Sequence, residues 1–354
     1  MFNLGQIATA VQNNCHISDA QYAGDYTLCV FLLKMREFYR WENQLSFGAT
    51  LPREDIGQWM QEREQLWEEI ESKGFGSIIL GDRQFDAFDA EDINRAIVPH
   101  GYVYSAGYGR FNKPHFFLGA LERHEVRDGV TIYVSSCEYA RDLVAPPAMS
   151  LGNVIFLRQE SLRRFLWERI EEWRWNRGNE IMERALEAYG IGEDDAAALD
   201  RMTRNETESV LLHELGEARA EKLLGDAWSR MLADLACTKA EMAVRAVRDL
   251  IADCLSTLPG LLARGDKAAI HFYFANFSGL RRHLYPEALN AYRNWITSGG
   301  DAILERLAEE GGTRWLATAR EFLLMHERNG AEAARGIETW LDNPPPACQA
   351  VSAG

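Results

Sequence analysis

Apolar positions change their rhythm twice along the chain. Residues 19–46, opened by Ser18-Asp19 as a helix cap, run through TLCVFLLKMREFYRWENQL and predict a long helix that is hydrophobic almost all round and therefore buried. A second helix, rich in Glu and Trp, is predicted over 53–73 after Pro52. Gly74, Gly76 and Gly81 bracket a short strand at 77–80, and 82–113 reads as a mixed, aromatic linker.

Over 114–159 the period falls toward two. HFFLGALERHEV and GVTIYVSS flank Arg127-Asp128-Gly129, a hairpin signal. Pro146-Pro147 forces a loop, and 153–158 reads as a third strand. From 160 the helical period takes over, with helices expected at 160–189, 195–224, 226–257, 266–284, 286–297, 300–311, 313–328 and 330–342, each ended by Gly or Pro.

The expected fold is therefore α+β and predominantly α: a large helical bundle with a small antiparallel β-sheet region near residues 77–158. The expected division is a mixed region over 1–159, a bundle over 160–343 and an unstructured tail over 344–354, whose NPPPACQAVSAG has little to pack, with one integrated domain as the alternative.

Charge removes several functions. The 354 residues carry 38 basic and 53 acidic side chains, net −15. No basic stretch exists to release counterions from a phosphate backbone, so nucleic acid and anionic membranes are not expected partners. No apolar run approaches the roughly 20 residues that span a bilayer, and the first residues lack a signal peptide's charged start. Six cysteines without CxxC or paired spacing point to a reducing cytoplasm. GxSxG, P-loop and GxGxxG signatures are missing, so no nucleotide cofactor is expected.

The chemistry that remains is carboxylate and imidazole. In ETESVLLHELGEARAEKLLG, His213 lies on an arc with Leu212, Gly216 and Ala220, and Glu217 sits about 40° away. Residues at i and i+4 can converge on one ion, and the small Gly216 and Ala220 would admit a neighbouring helix. The pattern HExxE is neither the zincin HExxH nor the ExxH of di-iron helices, and an ordinary histidine–carboxylate pair at the edge of a core fits it as well.

Glu37 falls between Tyr26, Val30, Leu33 and Trp41, where a bare charge is too costly. It must be paired by Arg36 or Arg40, protonated, or bound to metal. Glu241, Arg245, Asp249 and Asp253 form a stripe spaced by four, the pattern of a solvated salt-bridge ladder, which matters only if it faces a polar cleft. The aromatic IHFYFANFSGLRRHLYPEAL, with His271, Ser278 and Arg282 on one strip, has the make-up of a pocket wall or of a packed interior helix. Tyr102, Tyr104, Tyr108, Arg110, His115, Glu138, Tyr139 and Arg141 form a further cluster around the hairpin.

Two functions follow. In one, His213, Glu217, His271 and Glu37, with Glu241 and Asp249 in reserve, hold iron or manganese, and the protein is a di-iron or di-manganese carboxylate oxidoreductase acting on a small molecule. In the other, the polar stripes are salt bridges in a non-catalytic helical adaptor or assembly factor that binds no metal.

Overall fold

The computed structural model describes residues 3–109 and 112–343; Arg110 and the tail over 344–354 lie outside them. The chain divides into two compact units, Met1–Arg169 and Ile170–Gly354.

The first unit is built on a sheet of five strands in the order β3-β4-β5-β7-β6: Tyr102–Tyr108, Pro114–Arg127, Val130–Arg141, Val154–Arg158 and Ala148–Leu151. β1 (Ile78–Leu80) and β2 (Arg83–Phe85) form a separate hairpin. The expectation of a small antiparallel region is corrected here. The larger sheet curls into half a barrel, β4 and β5 span 14 and 12 residues, and β7 pairs parallel with β5. The parallel edge escapes a reading of hairpins because β6 loops out and returns antiparallel on the far side of β7. Asp128 and Gly129 (φ +52° and +80°) make the two-residue turn that joins β4 to β5.

Three helices precede the β1–β2 hairpin: α1 (Leu4–Tyr22), α2 (Leu28–Glu42) and α3 (Arg53–Ile70). α1 covers a stretch, largely 4–18, for which the apolar pattern predicts no element. Its Ile7, Val11 and Cys15 are buried with Phe116, Leu118 and Ala140 of the sheet, an apolar stripe one residue wide that composition hides. The single helix expected over 19–46 is broken at Ala23–Asp25, and α2 is not buried all round. Met35, Glu37, Phe38 and Arg40 are buried, whereas Leu28, Val30, Leu32 and Leu33 are exposed. A short helix, α4 (Ala90–Ile97), packs on β3. The unit ends in α5 (Gln159–Trp175), which runs across the boundary.

The second unit is all helical among its described residues: α6 (Glu180–Tyr189), α7 (Asp195–Leu224), α8 (Asp226–Asp234), α9 (Lys239–Ala252), α10 (Leu258–Arg264), α11 (Lys267–Ala275), α12 (Gly279–Leu284), α13 (Glu287–Ser298), α14 (Ala302–Asn329) and α15 (Ala333–Asp342). α9 is central, with Val244, Val247, Leu250 and Ile251 buried among residues of α14 and α15 such as Trp315, Phe322 and Ile337.

Two glycine and proline signals mean something other than a break. α14 runs straight through Gly311-Gly312. A β-carbon on Gly311 would lie 2.6 Å from both Cys254 Sγ and Tyr285 Oη, so the glycine admits close packing. Pro259 does not end the helix before it. The chain passes through a π turn over Asp253–Thr257, with the Leu258 N–H donating to the Asp253 carbonyl, and continues into α10. A proline cannot donate to the carbonyl four residues back, so the Arg219 guanidinium reaches that Leu255 carbonyl instead, at 3.4 Å. Among the described residues no helix is long and apolar enough to cross a membrane.

Candidate functional site

α7 and α9 touch where Gly216 faces Ala252. A β-carbon on Gly216 would stand 2.6 Å from the Ala252 carbonyl oxygen, so only glycine permits the approach that its place on the apolar arc suggested. The closeness carries His213, one turn earlier on α7, against Asp253 at the head of the π turn.

His213 Nδ1 lies 3.0 Å from Asp253 Oδ1, and its Nε2 lies 3.4 Å from Glu217 Oε1. Asp249, one turn before Asp253, completes a group: one ligand atom each from His213, Glu217 and Asp249 lie within 4.8 Å of one another. Two donors bonded to one ion at about 2.1 Å stand at most about 4.2 Å apart, so a small side-chain adjustment suffices. These three are the one such group of ligating side chains among the described residues.

The surroundings fix the roles. Asp253 is buried, and its other oxygen accepts from Arg281 Nη1 of α12 at 2.8 Å, with the Tyr273 hydroxyl as a further partner. Burial acts to raise the Asp253 carboxyl, but the His213 hydrogen bond and Arg281 outweigh it and hold the group below the usual carboxylate range. Burial likewise acts to lower the His213 imidazole, and hydrogen bonds to Asp253 and Glu217 overcome it, lifting His213 well above its ordinary value. Glu217 also accepts from Arg248 Nη2 at 2.9 Å. Burial, then the neighbouring Glu217, raises Asp249, while His213 and Arg248 hold Glu217 down against its own desolvation. Without a cation, therefore, hydrogen bonds and neighbouring charges favour the charged forms of Glu217 and Asp253 and the protonated form of His213, while Asp249 is the least acidic of the three carboxyls.

Of the six candidate ligands, three come together: His213, Glu217 and Asp249. The others are committed elsewhere. Glu37, in the first unit, is paired with Arg36 at 2.8 Å and Arg40 at 3.4 Å. His271 Nδ1 meets the Tyr292 hydroxyl at 2.7 Å, between α11 and α13. Glu241 serves its own helix. Its carboxylate accepts from Cys237 N and Arg245 Nε, both at 2.8 Å, while its N–H donates to the N-cap Thr238, much as in a capping box. The ladder of four thus divides between helix start, cluster and core. Arg281 and Tyr273 were not read as site residues, and Asp253 was named only as a rung of the salt-bridge stripe; a further hint was Pro259, just downstream of the wide turn.

The hairpin cluster also resolves. His115 Nδ1 lies 2.5 Å from Asp142 Oδ2, and Lys113 Nζ 2.7 Å from Asp19 Oδ1, all buried. Glu138 accepts from Arg158 Nε at 3.0 Å and from Ser161 Oγ at 2.5 Å, and Tyr104 donates to the Ala87 carbonyl at 2.6 Å. These contacts pin the sheet to α1 and α5. The aromatic segment from His271 does line a cavity, with Phe274, Phe277, Ser278 and Arg282 in its wall.

No curated protein and no solved structure matches the sequence. Residues 6–158 match the N-terminal domain, and residues 163–344 the C-terminal domain, of a family of unknown function, DUF6866. The boundary between the two matches falls at the start of α5, the same helix that holds the division between the compact units, and on these two matches the chain belongs to the DUF6866 family.

Proposed function

We propose that the second unit binds one divalent transition-metal cation, iron(II) or manganese(II), through His213 Nε2, Glu217 and Asp249. The observation that carries this reading is the Asp253–His213 hydrogen bond. A carboxylate on Nδ1 fixes the tautomer whose Nε2 is free to ligate, the arrangement usual behind metal-bound histidines. Two carboxylates and one imidazole favour a hard or borderline ion, and three protein ligands leave positions open for a small molecule. Oxidation of a small molecule is the reaction class such a site suits. With His271 and Glu37 engaged elsewhere, the reading is of one ion and not two.

His213 must lose a proton to ligate, and Arg248 must yield its hold on Glu217. Binding should therefore tighten as pH rises from 6 to 8. The unpaired Cys15, Cys29, Cys137, Cys237 and Cys254 support work in a reducing cytoplasm.

The Arg248–Glu217 contact favours a second reading, in which the cluster is a closed salt-bridge hub of a non-catalytic adaptor. One experiment separates the two. Untagged protein is stripped, incubated separately with Fe(II) under anaerobic conditions, Mn(II) and Zn(II), desalted and analysed for metal. About one equivalent of Fe or Mn per chain in the wild type, lost in His213→Ala, is the expected result. No retention by a folded wild type, or equal retention by the variant, would overturn the metal reading and leave the hub.

A further inference from the structure

The second unit holds a cavity of about 740 Å³ among the start of α6, the bend from α11 to α12, and α13. Its floor is aromatic. Phe274 and Tyr292 stack with centroids 4.6 Å apart and planes at 29°, both buried, and Phe277 stands beside them under the Arg281 guanidinium.

Three arginines line it from three helices: Arg184 of α6, Arg282 of α12 and Arg293 of α13. Among the described residues Arg184 and Arg282 form no ion pair, and Arg293 donates only to the Asn290 side chain, at 3.3 Å. Glu180 is the one acidic side chain of the lining. In a chain of net charge −15, three arginines gathered over an aromatic floor oppose the general field. All three are solvent-exposed, so their forked guanidinium donors are free to close on an oxyanion. The positive potential reaches the layer beneath the floor. His271, bonded to Tyr292, is pulled below its ordinary range first by burial and then by Arg184 and Lys267.

We propose that this cavity binds a small aromatic oxyanion, a flat ring system bearing a carboxylate or phosphate monoester. The ring would sit against the apolar part of the wall, where Ile181 and Ile296 are partly exposed beside the buried Phe274 and Phe277, and the oxyanion would take the forked donors of Arg184 and Arg282. The volume suits one small molecule. A polyanion is disfavoured, because its outer charges would meet the acidic surface, whereas a compact ligand needs only the local field within about one Debye length, ~10 Å. The proposal is independent of any cation at His213.

The test uses the full chain after treatment with EDTA, so that no metal can recruit the ligand. Calorimetric titrations use 1-naphthyl phosphate, 1-naphthoate, 1-naphthol and inorganic phosphate. Both aromatic anions should bind at least tenfold more tightly than naphthol or phosphate alone. The doubly substituted R184E/R282E chain should lose that preference while keeping the wild-type circular dichroism spectrum and Tm, because neither arginine holds a partner in the fold. Either aromatic anion failing to bind at millimolar concentration would overturn the proposal. So would naphthol or phosphate binding as tightly as the aromatic anions, or equal affinity in the variant.

Discussion

Asp253 Oδ1 stands 3.0 Å from His213 Nδ1, and the same carboxylate takes Arg281 on its other oxygen. One buried acid thus joins α7, the end of α9 and α12, and it sets which imidazole nitrogen faces Glu217. Replacing it by Asn keeps the shape and removes the charge. Asp253→Asn is expected to weaken Fe(II) or Mn(II) retention by about 10–100-fold, the usual cost of losing such a partner, as read by competition with a chromogenic chelator. A variant that binds as tightly as the wild type would show that Asp253 does not orient the ligand.

The approach of α7 to α9 is set by a missing methyl group. Gly216→Val places atoms where the Ala252 carbonyl already lies, and backbone cannot yield as a side-chain tip can. We expect a loss of about 1–3 kcal/mol or more in urea unfolding, together with loss of metal retention, because His213 and Asp249 sit on opposite sides of the forced gap. Unchanged stability would mean that the helices tolerate separation.

Glu206 gives a pH dependence in a different part of the same unit. It is buried and accepts from Tyr189 Oη at 2.6 Å. Burial, then the nearby Asp266, raises its carboxyl to about 8 from an ordinary 4.5, against the Tyr189 hydrogen bond. In the unfolded chain the proton leaves near 4.5, so the folded state binds it more strongly. Stability is therefore full below about 4.5 and falls as pH rises toward 8. Glu206→Gln has no proton to lose and can still accept from Tyr189. Between pH 5 and pH 8 the wild type should lose a few kcal/mol relative to the variant. Parallel stability curves for the two proteins would refute the assignment.

In the first unit, Glu138 is the counter-charge of Arg158, with Arg141 a further 3.8 Å contact, and all three are almost wholly buried. Glu138→Gln would take from those guanidinium groups their nearest counter-charge. The expected cost is about 3–5 kcal/mol, seen as a lowered denaturation midpoint. The double change Glu138→Leu with Arg158→Met should recover part of it, because it removes the charge together with its partner.

The sequence made local features legible and left spatial ones hidden. The β4–β5 turn was readable because Asp128-Gly129 must adopt positive φ, a property of those two residues alone. His213 and Glu217 share a helix, so their convergence needs only helical geometry. Asp249 was named, but its meeting with them depends on how α9 crosses α7, which no periodicity encodes. Asp253 looked like the last rung of a wet ladder, because a wheel drawn at 3.6 residues per turn ignores the wider turn that Pro259 imposes. Glu37 is buried although Val30 and Leu33, read as its neighbours, are exposed, and His271 is half-buried in the aromatic segment. Their partners, Arg36 with Arg40 and Tyr292, answer the desolvation argument without any metal. The sheet was underestimated because parallel pairing of β5 with β7 joins strands that are not neighbours in the chain.

The π turn at Asp253–Thr257 amounts to one residue inserted into an otherwise continuous helix. An α-helix advances about 100° per residue, so that residue is a phase correction. Upstream, the helix presents Asp249 to the His213 cluster; downstream, it presents Leu258, Leu261 and Leu262 to the apolar core. Deleting Leu255 would straighten the helix and put the two faces out of step. If α10 kept its seat, Asp253 would swing away from His213; if α9 kept its seat, the three leucines would turn toward solvent. The extra residue lets one helix satisfy two surfaces whose spacing is not a whole number of turns.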